Sequence, residues 1–109
     1  MKAIHGKKKK MKGQIQYQFN ASLWQHSGSG GWHFVSLPEE TATEIRTLLR
    51  SAEEGWGRLK ATAKIGSTEW KTAIWFDTKR STYLLPIKAT IRNKETLELE
   101  NEIKVTVWM

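Results

Sequence analysis

The sequence predicts a mostly-β fold of six strands and one helix, curled into a barrel or a strongly bent sheet. Three observations predict it. Six segments alternate apolar and polar residues with the period of two that puts one face of a strand inward. A single segment carries apolar residues at helical spacing. Most of the joins are short and rich in glycine or small polar residues, which suits closely spaced antiparallel strands.

The first strand is Gln14–Gln25. Ile15, Tyr17, Phe19, Ala21 and Leu23 share one face, and Gln14, Gln16, Gln18, Asn20 and Ser22 the other, with Trp24 on the polar face. His26–Gly31 is a glycine-rich turn. Trp32–Leu37 forms the second strand, and Pro38 ends it because proline has no N–H to give to a ladder. Glu39–Ala52 is the helix. Ala42, Ile45, Leu48, Leu49 and Ala52 form its apolar stripe, Glu39 and Glu40 suit its positive N-terminal end, and Gly55 is its stop. Gly57–Ile65, Glu69–Asp77 and Thr82–Arg92 follow as strands, with Pro86 marking an edge, a bulge or a bend. The last strand covers about Glu102–Met109.

Charge divides the chain. The net charge is +7, which invites a nucleic-acid reading. Six of the 18 basic residues (Lys2, Lys7, Lys8, Lys9, Lys10 and Lys12) lie in residues 1–13, which hold no acid. The other 12 nearly balance the 11 acidic residues. Residues 1–13 are expected to be a disordered basic tail, and 14–109 a single barrel-sized domain. Within that domain, residues 56–94 carry nine basic and two acidic groups, flanked by two acidic stretches. The middle strands are therefore the place for an anionic partner.

Several chemistries are excluded or unsupported. The chain has no cysteine, so disulfides, thiolate metal sites and cysteine nucleophiles are out, and a reducing, cytoplasmic setting is expected. No run of 18 apolar residues exists to span a membrane, and no apolar stretch follows the charged N-terminus as in a secretory signal. The three histidines, His5, His26 and His33, have no metal-binding spacing. No nucleophile elbow or phosphate loop is present. The expectation is no metal and no cofactor, and a binding role before an enzymatic one.

Six tryptophans in 109 residues are the unusual feature. Most simply they fill a small barrel and its ends. Trp24, Trp75 and Trp108, however, fall on faces that are otherwise polar. Beside Lys71, Lys88 and Arg92 they would make a stacking surface edged with cations.

The segments FNASLW (19–24), WHFVSLP (32–38), GWG (55–57), IGSTEWKTAIW (65–75) and YLLPIKATIR (83–92) resemble the DUF1905 domain family over roughly residues 15–108. The resemblance implies a prokaryotic domain of unknown function: a small closed or nearly closed six-stranded β-barrel, with its one α-helix between strands two and three. The family pattern I-G-x-T-x-W-K-T-S maps onto Ile65, Gly66, Thr68, Trp70, Lys71 and Thr72, with Ala73 in place of the usual serine. Phe76 stands where proline is common, and Glu100-Asn101 where Gly-Asp is usual. The resemblance directs attention to Trp70, Lys71, Thr72, Tyr83, Lys88 and Arg92 as ligand-binding candidates, to which the aromatic pattern adds Trp75.

The leading expectation is a non-enzymatic binding module for a small anionic ligand or a protein partner, working as a monomer or a weak homodimer. The alternative is a nucleic-acid-binding barrel assisted by Lys7, Lys8, Lys9, Lys10 and Lys12. The third is an enzyme of unknown reaction, for which Lys71 is the one named candidate. A ligand-sized cavity lined by Trp70, Tyr83 and a lysine raises the ligand reading, and a filled barrel with scattered cations sinks it.

Overall fold

The computed structural model describes residues 9–11, 14–28 and 30–109. In chain order the elements are β1 (Lys9–Met11), β2 (Gln14–Gln25), β3 (His33–Ser36), α1 (Glu39–Leu49), β4 (Arg58–Ile65), β5 (Thr68–Asp77), β6 (Thr82–Pro86), α2 (Ala89–Lys94) and β7 (Glu102–Trp108). Two short 3-10 turns, Arg50–Ala52 and Gly55–Gly57, link α1 to β4.

Six strands close a ring through antiparallel pairing in the order β2, β3, β6, β5, β4, β7 and back to β2. The closing seam pairs Gln16 with Trp108 and Ser22 with Glu102. The longest joint, β4 with β5, runs from Arg58 opposite Trp75 to Ile65 opposite Thr68. The joints of β3 are short, Leu23–Gln25 with His33–Val35 on one side and Phe34–Ser36 with Leu84–Pro86 on the other. Closure removes the exposed edges that an open sheet would leave among these strands. α1 lies between the second and third strands of this six-stranded barrel, as the sequence predicts.

The strand β1 sits outside the ring, with Lys9 opposite Gln16 and Met11 opposite Gln14. It falls within residues 1–13, the stretch expected to lack structure. Lys2, Lys7, Lys8 and Lys12 lie outside the described residues.

The alternation of each strand decides what faces in. Tyr17, Phe19, Leu23, Val35, Leu59, Ala63, Ile65, Ile74, Tyr83, Leu85, Val105 and Val107 form one buried cluster with Ala42 and Ile45 of α1. On α1 the buried residues are Thr41, Ala42 and Ile45, whereas Leu48 is exposed and Ala52 falls in the following turn. The apolar stripe is therefore narrower than its spacing predicts.

The predicted strand Thr82–Arg92 is corrected at its second half. The strand stops at Pro86, and the chain turns into α2. Proline has no N–H to continue the ladder. Ile87 instead gives its N–H to the His33 carbonyl, and Arg92 gives its N–H to Lys88. Ile87 and Ile91 are both buried. Two residues four apart satisfy a helix as well as a period of two, so alternation alone misreads this segment.

Two polar clamps hold the ends of the barrel. At one, the Tyr17 hydroxyl donates to Glu44 of α1 at 3.3 Å, and the Tyr83 hydroxyl donates to Glu53. Arg46 approaches Glu53 at 3.6 Å and lies 3.7 Å over the Phe76 ring, which meets Tyr83 edge-on. Burial, then the neighbouring carboxylate, pushes both phenols above their ordinary range, so they remain donors. At the other, Glu95 after α2 accepts from Thr68 at 2.5 Å and from Ser67 at 3.3 Å. Gly66, at φ +59, is required there: a Cβ at this position would collide with the Glu95 carboxylate. Among the described residues no helix is long and apolar enough to cross a membrane.

Candidate functional site

The barrel interior is filled. Tyr17, Val35, Ile45, Ile74, Tyr83, Leu85, Val105 and Val107 are all 0% exposed. A cavity lined by Trp70, Tyr83 and a lysine, the arrangement that would favour a ligand, is therefore not what the core shows. Tyr83 is a core residue, and Trp70 packs against the same cluster.

The site is on the outside of the same strands. Because Leu59 and Ile74 face in, their neighbours in the β4–β5 register face out: Arg58 opposite Trp75, Lys60 opposite Ala73, and Thr62 opposite Lys71. The next joint adds Trp108 opposite Thr62. Beyond β5, Leu84 pairs with Trp75 and Pro86 with Phe34. Of these, Arg58, Lys60, Thr62, Lys71, Ala73, Trp75, Pro86 and Trp108, with Trp32, Lys88 and Met109, surround an open groove of about 680 Å³. Ala73 is 2% exposed and forms part of the floor.

The charged side chains of the lining have one sign. They are Arg58, Lys60, Lys71 and Lys88, with no aspartate or glutamate among the described lining residues. Arg58 is held by Glu54 at 2.5 Å and sits 5.6 Å over the Trp75 ring. Lys60 reaches the same Glu54 at 4.0 Å. Lys71 and Lys88 have no ion-pair partner among the described residues, so their charge is available to a ligand. The Trp108 indole N–H donates to Gln16 at 3.2 Å, which orients its ring.

A second groove of about 370 Å³ continues the first. It is lined by His26, Trp32, Phe34, Trp75 and Leu84, so Trp32 and Trp75 belong to both. Trp32 is 57% exposed and stacks on Phe34 at 6.1 Å. Phe34 in turn meets Trp24 at 5.2 Å, and Arg80 lies 4.5 Å over Trp24 while bonded to Asp77. The Trp24 N–H donates to Ser36 at 2.9 Å. The outer face therefore carries a continuous aromatic surface with cations above it.

Of the candidates from the sequence, the structure brings together Lys71, Thr72, Trp75 and Lys88. Trp70 and Tyr83 turn inward. Arg92 is not on a strand beside Lys71; on α2, its guanidinium donates to the Ile87 carbonyl at 3.3 Å and meets His33 at 3.3 Å. Arg58, Lys60 and Trp32 join the site unexpectedly. Alternation placed Arg58 and Lys60 on the outer face, but only strand neighbours reveal that they share it with Trp75. No cluster of three or more histidine, aspartate or glutamate residues able to hold a metal occurs among the described residues.

The family model described as "Domain of unknown function (DUF1905)" matches residues 19–107, and the chain belongs to that family. No curated protein matches it.

Proposed function

We propose that the domain is a non-enzymatic binding module whose outer groove takes an anionic ligand carrying a planar ring. One observation carries the reading: Lys71 and Lys88, unpaired among the described residues, stand beside Trp75 and Trp108 in a groove lined by no described aspartate or glutamate. An anionic group gains from the lysines, and a flat ring gains from the indole faces. Neither gain requires the filled interior. Arg58 is pre-set over Trp75 by Glu54, so a ring stacking there meets a cation already in place. The lack of cysteine fits a cytoplasmic location.

Intrinsic tryptophan fluorescence titrated with thymidine monophosphate tests the reading. Quenching is expected at low salt. It weakens about five- to tenfold in Lys71→Ala and is lost in Trp75→Ala, with melting temperatures close to the parent. Unchanged quenching in both variants places the ligand elsewhere.

A further inference from the structure

We infer that the polymeric form of this ligand, single-stranded nucleic acid, is what the face binds, laid across both grooves. The inference rests on the reading above and goes beyond it on separate observations. The first is extent. The two grooves share Trp32 and Trp75, so the rings of Trp108, Trp75, Trp32 and Phe34 line one joined depression of the outer face. That is more aromatic surface than one base covers. The second is the division of labour. The cations lie in the first groove, whereas the second is lined by His26, Trp32, Phe34, Trp75 and Leu84 and has no lysine or arginine. A strand would be gripped by its phosphates at one end and stacked by its bases along the rest, which is how sequence-tolerant single-strand binders work.

The third observation is openness to solvent. A small-molecule site encloses most of its ligand, and this face does not, whereas a polymer gathers its contacts along a track. Duplex is a poor fit, because its bases are already stacked on one another and cannot lie on the indoles. The fourth is the path of the chain. Lys9 stands opposite Gln16, and Gln16 opposite Trp108 on its other edge. The backbone of β1 thus joins the barrel one strand away from Trp108.

Fluorescence anisotropy with labelled oligonucleotides on the full chain tests this. The probes are thymidine monophosphate by competition, dT3, dT6, dT10, rU10 and a ten-base-pair duplex. Affinity is expected to rise roughly tenfold or more from the monophosphate to dT6. The logarithm of affinity should fall with the logarithm of salt by about 0.7 per phosphate contacted. Comparison of dT10 with rU10 distinguishes a DNA from an RNA ligand, and tighter binding of either over duplex supports the inference. Phe34→Ala should weaken dT10 several-fold more than it weakens the monophosphate; the length series holds even if that variant folds poorly. If the monophosphate binds and dT10 binds no tighter, or duplex binds as well as dT10, the inference is overturned and the groove reading stands. If neither the monophosphate nor dT10 binds, the groove reading itself falls.

Discussion

The two faces of β5 do opposite work within ten residues. Inward, Trp70, Ile74 and Phe76 pack on the core, with Ile74 0% exposed. Outward, Lys71, Ala73 and Trp75 line the groove. The inner face is finished: its apolar atoms touch one another and Phe76 is capped by Arg46. The outer face is unfinished: it presents the Trp75 indole and the Lys71 ammonium group, unpaired among the described residues, to the groove. The lesson is that the segment from Ile65 to Trp75 carries core residues such as Ile74 at one parity of β5 and groove-lining residues such as Trp75 at the other. Reading the segment as a single functional unit merges the two.

The largest test of this comparison is Ile74→Ala. It should cost about 2–5 kcal/mol in urea denaturation, because it removes a fully buried side chain from a filled interior, while ligand affinity of the folded protein stays near the parent. Trp75→Ala should do the reverse, shifting affinity by about 1–3 kcal/mol and stability by less than half the Ile74→Ala change. If the two variants destabilise equally, the division between faces is broken.

Gly66→Ala probes the hairpin that joins the two strands. A loss of roughly 1–3 kcal/mol is expected from the left-handed backbone and the displaced Glu95 carboxylate. In a Glu95→Ala background the same change should cost less, so a double-mutant cycle reads the clamp. The clamp also has a pH signature. The hydrogen bond from Thr68, with help from Ser67, holds the Glu95 carboxyl below its ordinary range. A depressed carboxylate contributes stability that is full above the ordinary range and is lost as pH falls through its lowered one. Glu95→Gln should therefore be less stable at pH 7 and show a flatter acid limb in its urea midpoints. The smallest effect is at Trp56, which is 93% exposed with φ 67. Trp56→Gly should leave stability unchanged or raise it by up to about 1 kcal/mol, measured by thermal melting.

Much of the architecture was legible because strand alternation is a local signal. The inward residues of β2, β4 and β7 follow directly from period two, and Pro38 and Gly66 mark their turns. Three things were hidden. Ile87 and Ile91 satisfy two periodicities, so α2 read as strand. Glu95, placed among the acidic residues of a solvated stretch, gave no hint that Ser67 and Thr68 would bind it across the fold. The groove itself depends on pairings between distant segments: nothing local says that Trp108 lies beside Thr62, or Phe34 beside Pro86. The candidate cations were visible singly, and Arg92 was lost to α2 when its strand ended early.

The seam between β2 and β7 has a kinetic meaning. β7 pairs with both β2 and β4, so the ring cannot shut until residues 102–108 have been made. Everything before them is an incomplete sheet with open edges at β2 and β4. Closing a loop of that length is entropically slow, and contacts so distant in sequence lower folding rates. During synthesis the hairpin of β4 and β5 has local partners from the start, and β2 gains β3 early, whereas the Gln16–Ser22 edge of β2 must wait for the ribosome to deliver β7. The interval in which that edge stands open is the period when this chain is most exposed to aggregation.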